Sequence, residues 1–298
     1  MKVLVTGASG QIGRSLVSQL NRILPGKTDH ISILLHDKPL PDCFVDFTDQ
    51  FTVVREIKSR FDIAIHLAAI ISTPFCQKPE NRDLVVATNV ELTKTVCDHS
   101  DFVVMLSTDN VFKGDERREY GENEEPNPVN FYGTSKLKAE KIVMSSNGAV
   151  VRVQTMLGCS NLIINAVIDM IRGKPHPPFW NDTFSRPAFL PDLMQILGVV
   201  IRNKISGIFH CSTMGEVFSR AQIAKMILQF FRDHNLPRVI DSILEESCSV
   251  PAFPRHLVLN TELTRNQLGL TFTPSHQALA EHLAMFLDLN RGSGLKKE

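Results

Sequence analysis

The sequence predicts an α/β fold, a doubly wound parallel sheet followed by a smaller C-terminal lobe. Three observations carry that expectation. Apolar strand-like runs near 2–6, 31–35, 62–67, 102–107 and 148–153 alternate with helical stretches, the pattern of successive βαβ units. The first run passes straight into a glycine-rich turn and then a helical pattern. The length, 298 residues, accommodates one such domain with an ample core and a second lobe. The boundary is expected near residue 155, giving a sheet domain over 1–155 and a lobe over 156–298. The segment around 186–200 is a candidate to cross back to the first domain.

The first element is Lys2-Val3-Leu4-Val5-Thr6, a β-branched apolar run that ends in Gly7, Gly10 and Gly13, spaced three apart. Ile12, Leu16, Val17 and Leu20 then recur at helical spacing. Strand, glycine turn and helix in that order are the context of a dinucleotide-binding fingerprint. Lacking Cβ atoms, the glycines permit a tight turn and a close approach of backbone to pyrophosphate, which sits on free N–H groups at the positive helix end. Gln11 and Ile12 lie within this turn. The second strand, Ile31–Leu35, ends at His36-Asp37. A carboxylate there stands near the ~20-residue spacing expected of an acid that reads the adenosine ribose. Asp37-Lys38-Pro39 also reads as a plain turn, and Lys38 suits a 2′-phosphate.

The run Phe61–Leu67 reads as a buried strand. Within it His66 is expected to be a satisfied structural histidine. The fourth run, Phe102 to Ser107-Thr108, is followed about two dozen residues later by Phe131-Tyr132-Gly133-Thr134-Ser135-Lys136. Tyr132 and Lys136 stand four apart, one turn of one helix face. A cation one turn from a phenol favours the phenolate and draws its pKa from ~10 toward neutrality, where general acid–base catalysis is efficient. A hydroxyl at a nearby strand end, Thr108, can then hold a carbonyl against the tyrosine. That is the equipment of a carbonyl reductase.

These residues resemble the extended short-chain dehydrogenase/reductase superfamily, and within it the dTDP-4-dehydrorhamnose reductase family of nucleotide-sugar 4-ketoreductases. The spacing Gly7-x-x-Gly10-x-x-Gly13 is the superfamily's variant of the cofactor turn. Val45-Asp46-Phe47 is similar to the family's short third strand, whose Asp lies near the adenine. His66-Leu67-Ala68-Ala69 resembles the strand-end motif that lines the cofactor. Ser107-Thr108-Asp109-Asn110-Val111-Phe112 resembles Ser-Thr-Asp-Tyr-Val-Phe, and Tyr132-Gly133 through Lys136 and Glu140 resembles the family's helix start. Asn181-Asp182, Arg186-Pro187 and Asp192-Leu193 are like the segment returning from the substrate lobe, and Asn260-Thr261 is like a C-terminal motif. The resemblance implies a Rossmann-type fold, NADPH or NADH as cofactor with NADPH slightly favoured, and Thr108, Tyr132 and Lys136 as the catalytic set. It implies cofactor contacts from Gly7, Gly10, Gln11, Ile12, Gly13, Asp37, Asp46, Phe47, Leu67, Ala68, Ala69, Tyr132 and Lys136. Thr108, Asp109, Asn110 and Arg186 are the expected substrate contacts, Arg186 as a bidentate clamp on a diphosphate or, more plainly, in a surface ion pair.

Three departures fall on the expected substrate side. Asn110 stands where the family has Tyr, Ser72–Gln77 replaces an acidic cluster, and Arg152-Val153-Gln154-Thr155 lacks the family's Trp. The implied substrate is therefore a nucleotide-linked 4-keto sugar or a related ketone. A sugar 4,6-dehydratase is disfavoured, because its Asp-Glu pair is Asp109-Asn110 here. An epimerase, or a cofactor-binding regulatory subunit like the methionine adenosyltransferase β subunit, are the alternatives.

Composition excludes other classes. Net charge is zero and pI about 7.1, which suggests neither nucleic acid nor anionic membrane as partner. The six cysteines (43, 76, 97, 159, 211, 248) lack metal-ligand spacing and read as reduced thiols of a cytoplasmic protein, with no metal site expected. There is no signal-peptide pattern and no apolar run near ~18 residues. Oligomeric state is left open, with a homodimer the form common in the superfamily. Lys113–Pro128 reads as a solvated loop or a lid. Lys174–Trp180 reads as a lobe loop with Trp180 as a packing anchor, and the tail from Arg291 reads as frayed.

Overall fold

A computed structural model describes residues 1–24, 30–34, 60–159, 162–234, 243–250 and 252–290. Its centre is a parallel sheet of β1 (Lys2–Thr6), β2 (His30–Leu34), β3 (Ile63–His66), β4 (Val103–Thr108), β5 (Gly148–Val153) and β6 (Gly207–Cys211). Among the described residues the order is β2-β1-β3-β4-β5-β6, every pair parallel. Strands covered on both faces are built from continuous apolar runs rather than alternating ones. Val3, Leu4 and Val5 are accordingly all buried, as are Ile63, Ala64 and Ile65. The order reverses between β1 and β3, and in open α/β sheets ligands bind beyond the carboxyl ends of strands at such a reversal. Thr6 and His66 pair in register there.

Helix α1 (Gln11–Val17) follows β1, and a helical run leads through a π turn at Ala87–Glu91 into α2 (Leu92–Asp98). Helix α3 (Phe131–Ser145) starts at an Asn130 cap, whose side chain accepts from the Gly133 N–H at 2.8 Å. One face of α3 packs inward at helical spacing: Tyr132, Ser135, Lys136, Ala139, Glu140 and Val143. Three of these are ionisable, and the most buried pair is Glu140 with Arg152 of β5. Arg152 Nε and Nη2 donate to the two Glu140 oxygens at 3.0 and 2.7 Å, and Ser107 donates to the same carboxylate at 2.5 Å. Removing one member of such a pair leaves an uncompensated buried charge, at a cost of roughly 3–5 kcal/mol.

Beyond residue 155 the chain both leaves the sheet and returns to it. Helix α4 (Leu190–Asn203) and β6 rejoin the main core, where Leu193, Leu197, Ile201 and Phe209 pack with Val3, Val104 and Val151. A second apolar cluster joins Leu162–Ile171, α5 (Arg220–Asp233) and α6 (Ser275–Asn290) through Val167, Ile227, Phe231, Leu279 and Phe286. A small sheet of Phe218–Ser219, Phe184–Ser185, His256–Leu259 and Glu119–Tyr120 links the lobe to the segment after β4.

That link changes the reading of Lys113–Pro128. It is anchored rather than solvated at its middle: Tyr120 is buried and stacks on Phe112 at 4.8 Å, and its hydroxyl accepts from the Gly114 N–H at 3.1 Å. Glu122, also buried, accepts from the Thr264 N–H and hydroxyl at 3.0 and 2.6 Å. Trp180 is a packing anchor, with Phe253 edge-on at 4.8 Å and the Arg220 guanidinium 5.1 Å from its ring centre. No helix among the described residues is long and apolar enough to cross a membrane.

Candidate active site

The site lies at the carboxyl ends of β1, β3 and β4. Gly7 has φ +69°, and a Cβ there would stand 2.6 Å from the Ala68 nitrogen and 2.7 Å from the Leu67 carbonyl carbon. No side chain fits, so the glycine turn closes directly onto the strand end Leu67-Ala68. Gly10 donates to the Gly7 carbonyl at 3.1 Å and caps α1 without a side chain, and the first-turn N–H groups of Gln11, Ile12 and Gly13 have no hydrogen-bond partner among the described residues. This is a cradle of backbone donors that suits a pyrophosphate. Asp37, Asp46 and Phe47 lie outside the described residues.

His66 pins this cradle. Thr6 donates to His66 Nδ1 at 2.7 Å, and Nε2 meets the Thr93 hydroxyl at 3.0 Å. Thr93 itself donates to the Asn89 carbonyl at 2.9 Å, so its oxygen must accept from Nε2–H, which assigns the tautomer. Burial, with Lys136 adding to it, pushes the imidazole pKa down to about 3, so His66 is neutral. It is the satisfied structural histidine its sequence context suggests.

Tyr132, Lys136 and Thr108 are buried together where α3 meets the end of β4. Gly133 explains how α3 comes so close: a Cβ there would stand 2.0 Å from the Asn110 carbonyl oxygen. Burial holds the Tyr132 hydroxyl above its ordinary range; a hydrogen bond with Thr108 opposes this, and Asp109 and Cys76 add to it. Burial brings Lys136 down to about 8, with Glu140 opposing. Desolvation thus outweighs the simple expectation that Lys136 draws the phenol toward neutrality, because both groups lie in the same low-dielectric wall. Lys136 still titrates close to the physiological range.

Asp109 is buried, and desolvation raises its carboxyl above the usual range despite hydrogen bonds from Gln154, Thr108 and Asn110. Gln154 Nε2 donates to Asp109 Oδ2 at 3.0 Å and also to the Leu257 carbonyl. Its Oε1 accepts from the Arg186 N–H at 3.2 Å and Ser212 at 3.3 Å. One amide therefore ties the turn after β4 to the lobe. Arg186 is placed in a part-buried ion pair, Nη2 donating to Glu119 at 2.6 Å, while its Nε is buried without a partner among the described residues.

Sequence reasoning passed over Asn89. It sits in the π turn, accepts from the Ile70 N–H at 2.8 Å, and donates to the Ile70 carbonyl at 3.0 Å and Ser135 at 2.9 Å. It thereby joins the Leu67–Ile70 strand end to α3. A π turn has no signature in a 3.6-residue pattern, so nothing in the sequence marks it. Gln154 carried a signal, as a departure from the family's motif, but its role as a hub needs four segments distant in sequence.

The family described as RmlD substrate binding domain matches residues 1–287. A dTDP-4-keto-6-deoxy-D-glucose reductase of Streptomyces niveus is 29% identical over 220 residues, covering 72% of this chain and 73% of that protein. The methionine adenosyltransferase 2 subunit beta of Xenopus tropicalis is 24% identical over 71% of this chain and 66% of that protein. Among solved structures, dTDP-4-dehydrorhamnose reductase from Bacillus anthracis str. Ames, in complex with NADP, superposes with a TM-score of 0.78 at 26% identity. That match covers 95% of this chain and 98% of that one.

Proposed function

The chain belongs to the RmlD substrate binding domain family, and on that premise we propose that it is an NAD(P)H-dependent reductase of a ketone on a nucleotide-linked deoxysugar. The observation that carries this reading is the buried set Thr108, Tyr132 and Lys136 beside a glycine cradle at the sheet's reversal. The cradle residues Gly7 to Gly13, with Leu67, Ala68 and Ala69, would hold the dinucleotide, and Lys136 its nicotinamide ribose. When bound, the reduced nicotinamide supplies a hydride. Thr108 and Tyr132 hold the substrate oxygen between two hydroxyls. As negative charge develops on that oxygen, Tyr132 transfers its phenolic proton to it, and Thr108 stabilises it by hydrogen bonding. Lys136, charged at neutral pH, stabilises the phenolate left behind.

The test is oxidation of NADPH and NADH, followed by absorbance, against a panel of nucleotide-linked 4-keto sugars. Turnover is expected, and Tyr132→Phe should lower it by roughly 10²–10⁴-fold. Undiminished turnover in that variant would remove Tyr132 from the mechanism. Cofactor binding without turnover on any substrate would instead favour a regulatory subunit.

A further inference from the structure

We infer that Asn110 is a positioning residue, which leaves the Thr108 hydroxyl able to act only as a hydrogen-bond donor in the site. The argument is one of hydrogen-bond capacity. A threonine oxygen offers two acceptor sites and one proton. Both acceptor sites are taken by the same residue: the Asn110 backbone N–H reaches Thr108 Oγ1 at 3.2 Å and Asn110 Nδ2 at 3.3 Å. The one proton points to Asp109 Oδ1 at 3.0 Å, and Asn110 Nδ2 donates its second hydrogen to that oxygen at 2.9 Å.

The orientation of the amide is fixed from behind. Asn110 Oδ1 accepts from Asn130 Nδ2 at 3.1 Å. Asn130 cannot turn either, because its own Oδ1 accepts from the Gly133 N–H at 2.8 Å. Flipping Asn110 would set two NH₂ groups face to face and its oxygen against the Asp109 carboxyl. The catalytic helix therefore holds Asn110, and Asn110 holds Thr108.

Two consequences follow. Tyr132 finds no free acceptor site on Thr108, so the two hydroxyls can bond only when Thr108 turns its proton from Asp109 to the phenol oxygen, and the phenolic proton stays available for the substrate. Both hydrogens of the Asn110 carboxamide are engaged inside the protein and its oxygen already accepts from Asn130, so this side chain has no donor left for a substrate. A tyrosine at this position, with a single hydroxyl, could not fill the same bonds.

The kinetic arm of the test rests on the reductase reading; the spectroscopic arm does not. The chain has two tyrosines, so in a Tyr120→Phe background Tyr132 alone gives the tyrosine ring doublet in the Raman spectrum, whose intensity ratio separates a phenol that accepts from one that donates. Asn110→Ala opens an acceptor site on Thr108 and is expected to shift the ratio toward a donating phenol. It should lower kcat about tenfold, one hydrogen bond's worth, with KM within about twofold. Asn110→Asp keeps the volume but loses both side-chain donors, and should give the same shift if the alanine variant folds poorly. In a Thr108→Val background neither substitution should have a further effect. An unchanged doublet in both variants would overturn the inference, as would a raised KM with unchanged kcat, which would make Asn110 a substrate contact. Absence of turnover in the parent protein would count against the proposed reaction, while the doublet would still decide the role of Asn110.

Discussion

A buried lysine is the most revealing single residue. Lys136 is brought from 10.5 to about 8 by burial, which amounts to about 3 kcal/mol of penalty on its charged form. Its unfolded form holds a proton up to about 10.5 and its folded form only up to about 8. The penalty is therefore complete below about pH 8 and is relieved as pH rises from there toward 10.5. Lys136→Met should be more stable than the parent at pH 7, by about 1–3 kcal/mol in urea unfolding, and the gap should close by about pH 10. Equal stabilities at pH 7 would mean that no such penalty exists. The same substitution should abolish turnover, so stability and activity would move in opposite directions, as they do where a functional charge is held in an unfavourable place.

At the scale of elements, the site depends on how α3 docks against the turn after β4. Helix propensity alone would favour alanine over glycine at position 133, by about 1 kcal/mol. Here the added methyl would meet the Asn110 carbonyl oxygen at 2.0 Å, backbone against side chain with no flexible atom to yield. Gly133→Ala should therefore cost stability rather than add it, by about 1–3 kcal/mol. It should also displace Tyr132 from Thr108, lowering kcat more than tenfold while circular dichroism stays native. A stabilised, fully active Gly133→Ala protein would show that the helix start can slide without harm. The Tyr-Gly pair is thus legible in the sequence, but its reason is a contact with a turn some twenty residues earlier. Likewise the charged stretch after β4 reads as solvent-facing because its composition is polar. Its pairing with His256–Leu259 and the burial of Tyr120 depend on partners more than a hundred residues away.

Across the whole molecule, two neutral histidines, His66 and His210, lie buried on opposite sides of the strand that carries Thr108. Each is held down to about 3, His66 by burial and then Lys136, His210 by burial and then Arg152. Unfolding frees both to take up protons between about pH 6.5 and 3. Their contribution is complete above pH 6.5 and is lost as pH falls through that window. Urea midpoints measured from pH 7 to 4.5 should decline, and His210→Gln should flatten the decline by about 1 kcal/mol per pH unit. A variant with the parent's slope would show that His210 is already charged in the folded protein. The two histidines belong to one architecture whose main lines were readable in advance. Five strand runs, the glycine turn and the order of motifs sufficed for the parallel α/β sheet, because backbone geometry imposes those patterns locally: period-two or continuous apolar runs for strands, and glycine where no Cβ fits. That Tyr132 and Lys136 share one helix face was readable for the same reason, since they stand four residues apart. Only the tertiary structure decided the rest. It placed Gly207–Cys211 as the sheet's sixth strand, joined four segments at Gln154, hid Asn89 in a π turn, and set the Asn110 amide against the Thr108 hydroxyl. Those features depend on desolvation and on donors and acceptors brought together from distant segments. No local pattern encodes such pairings; they exist only once the chain has closed around them.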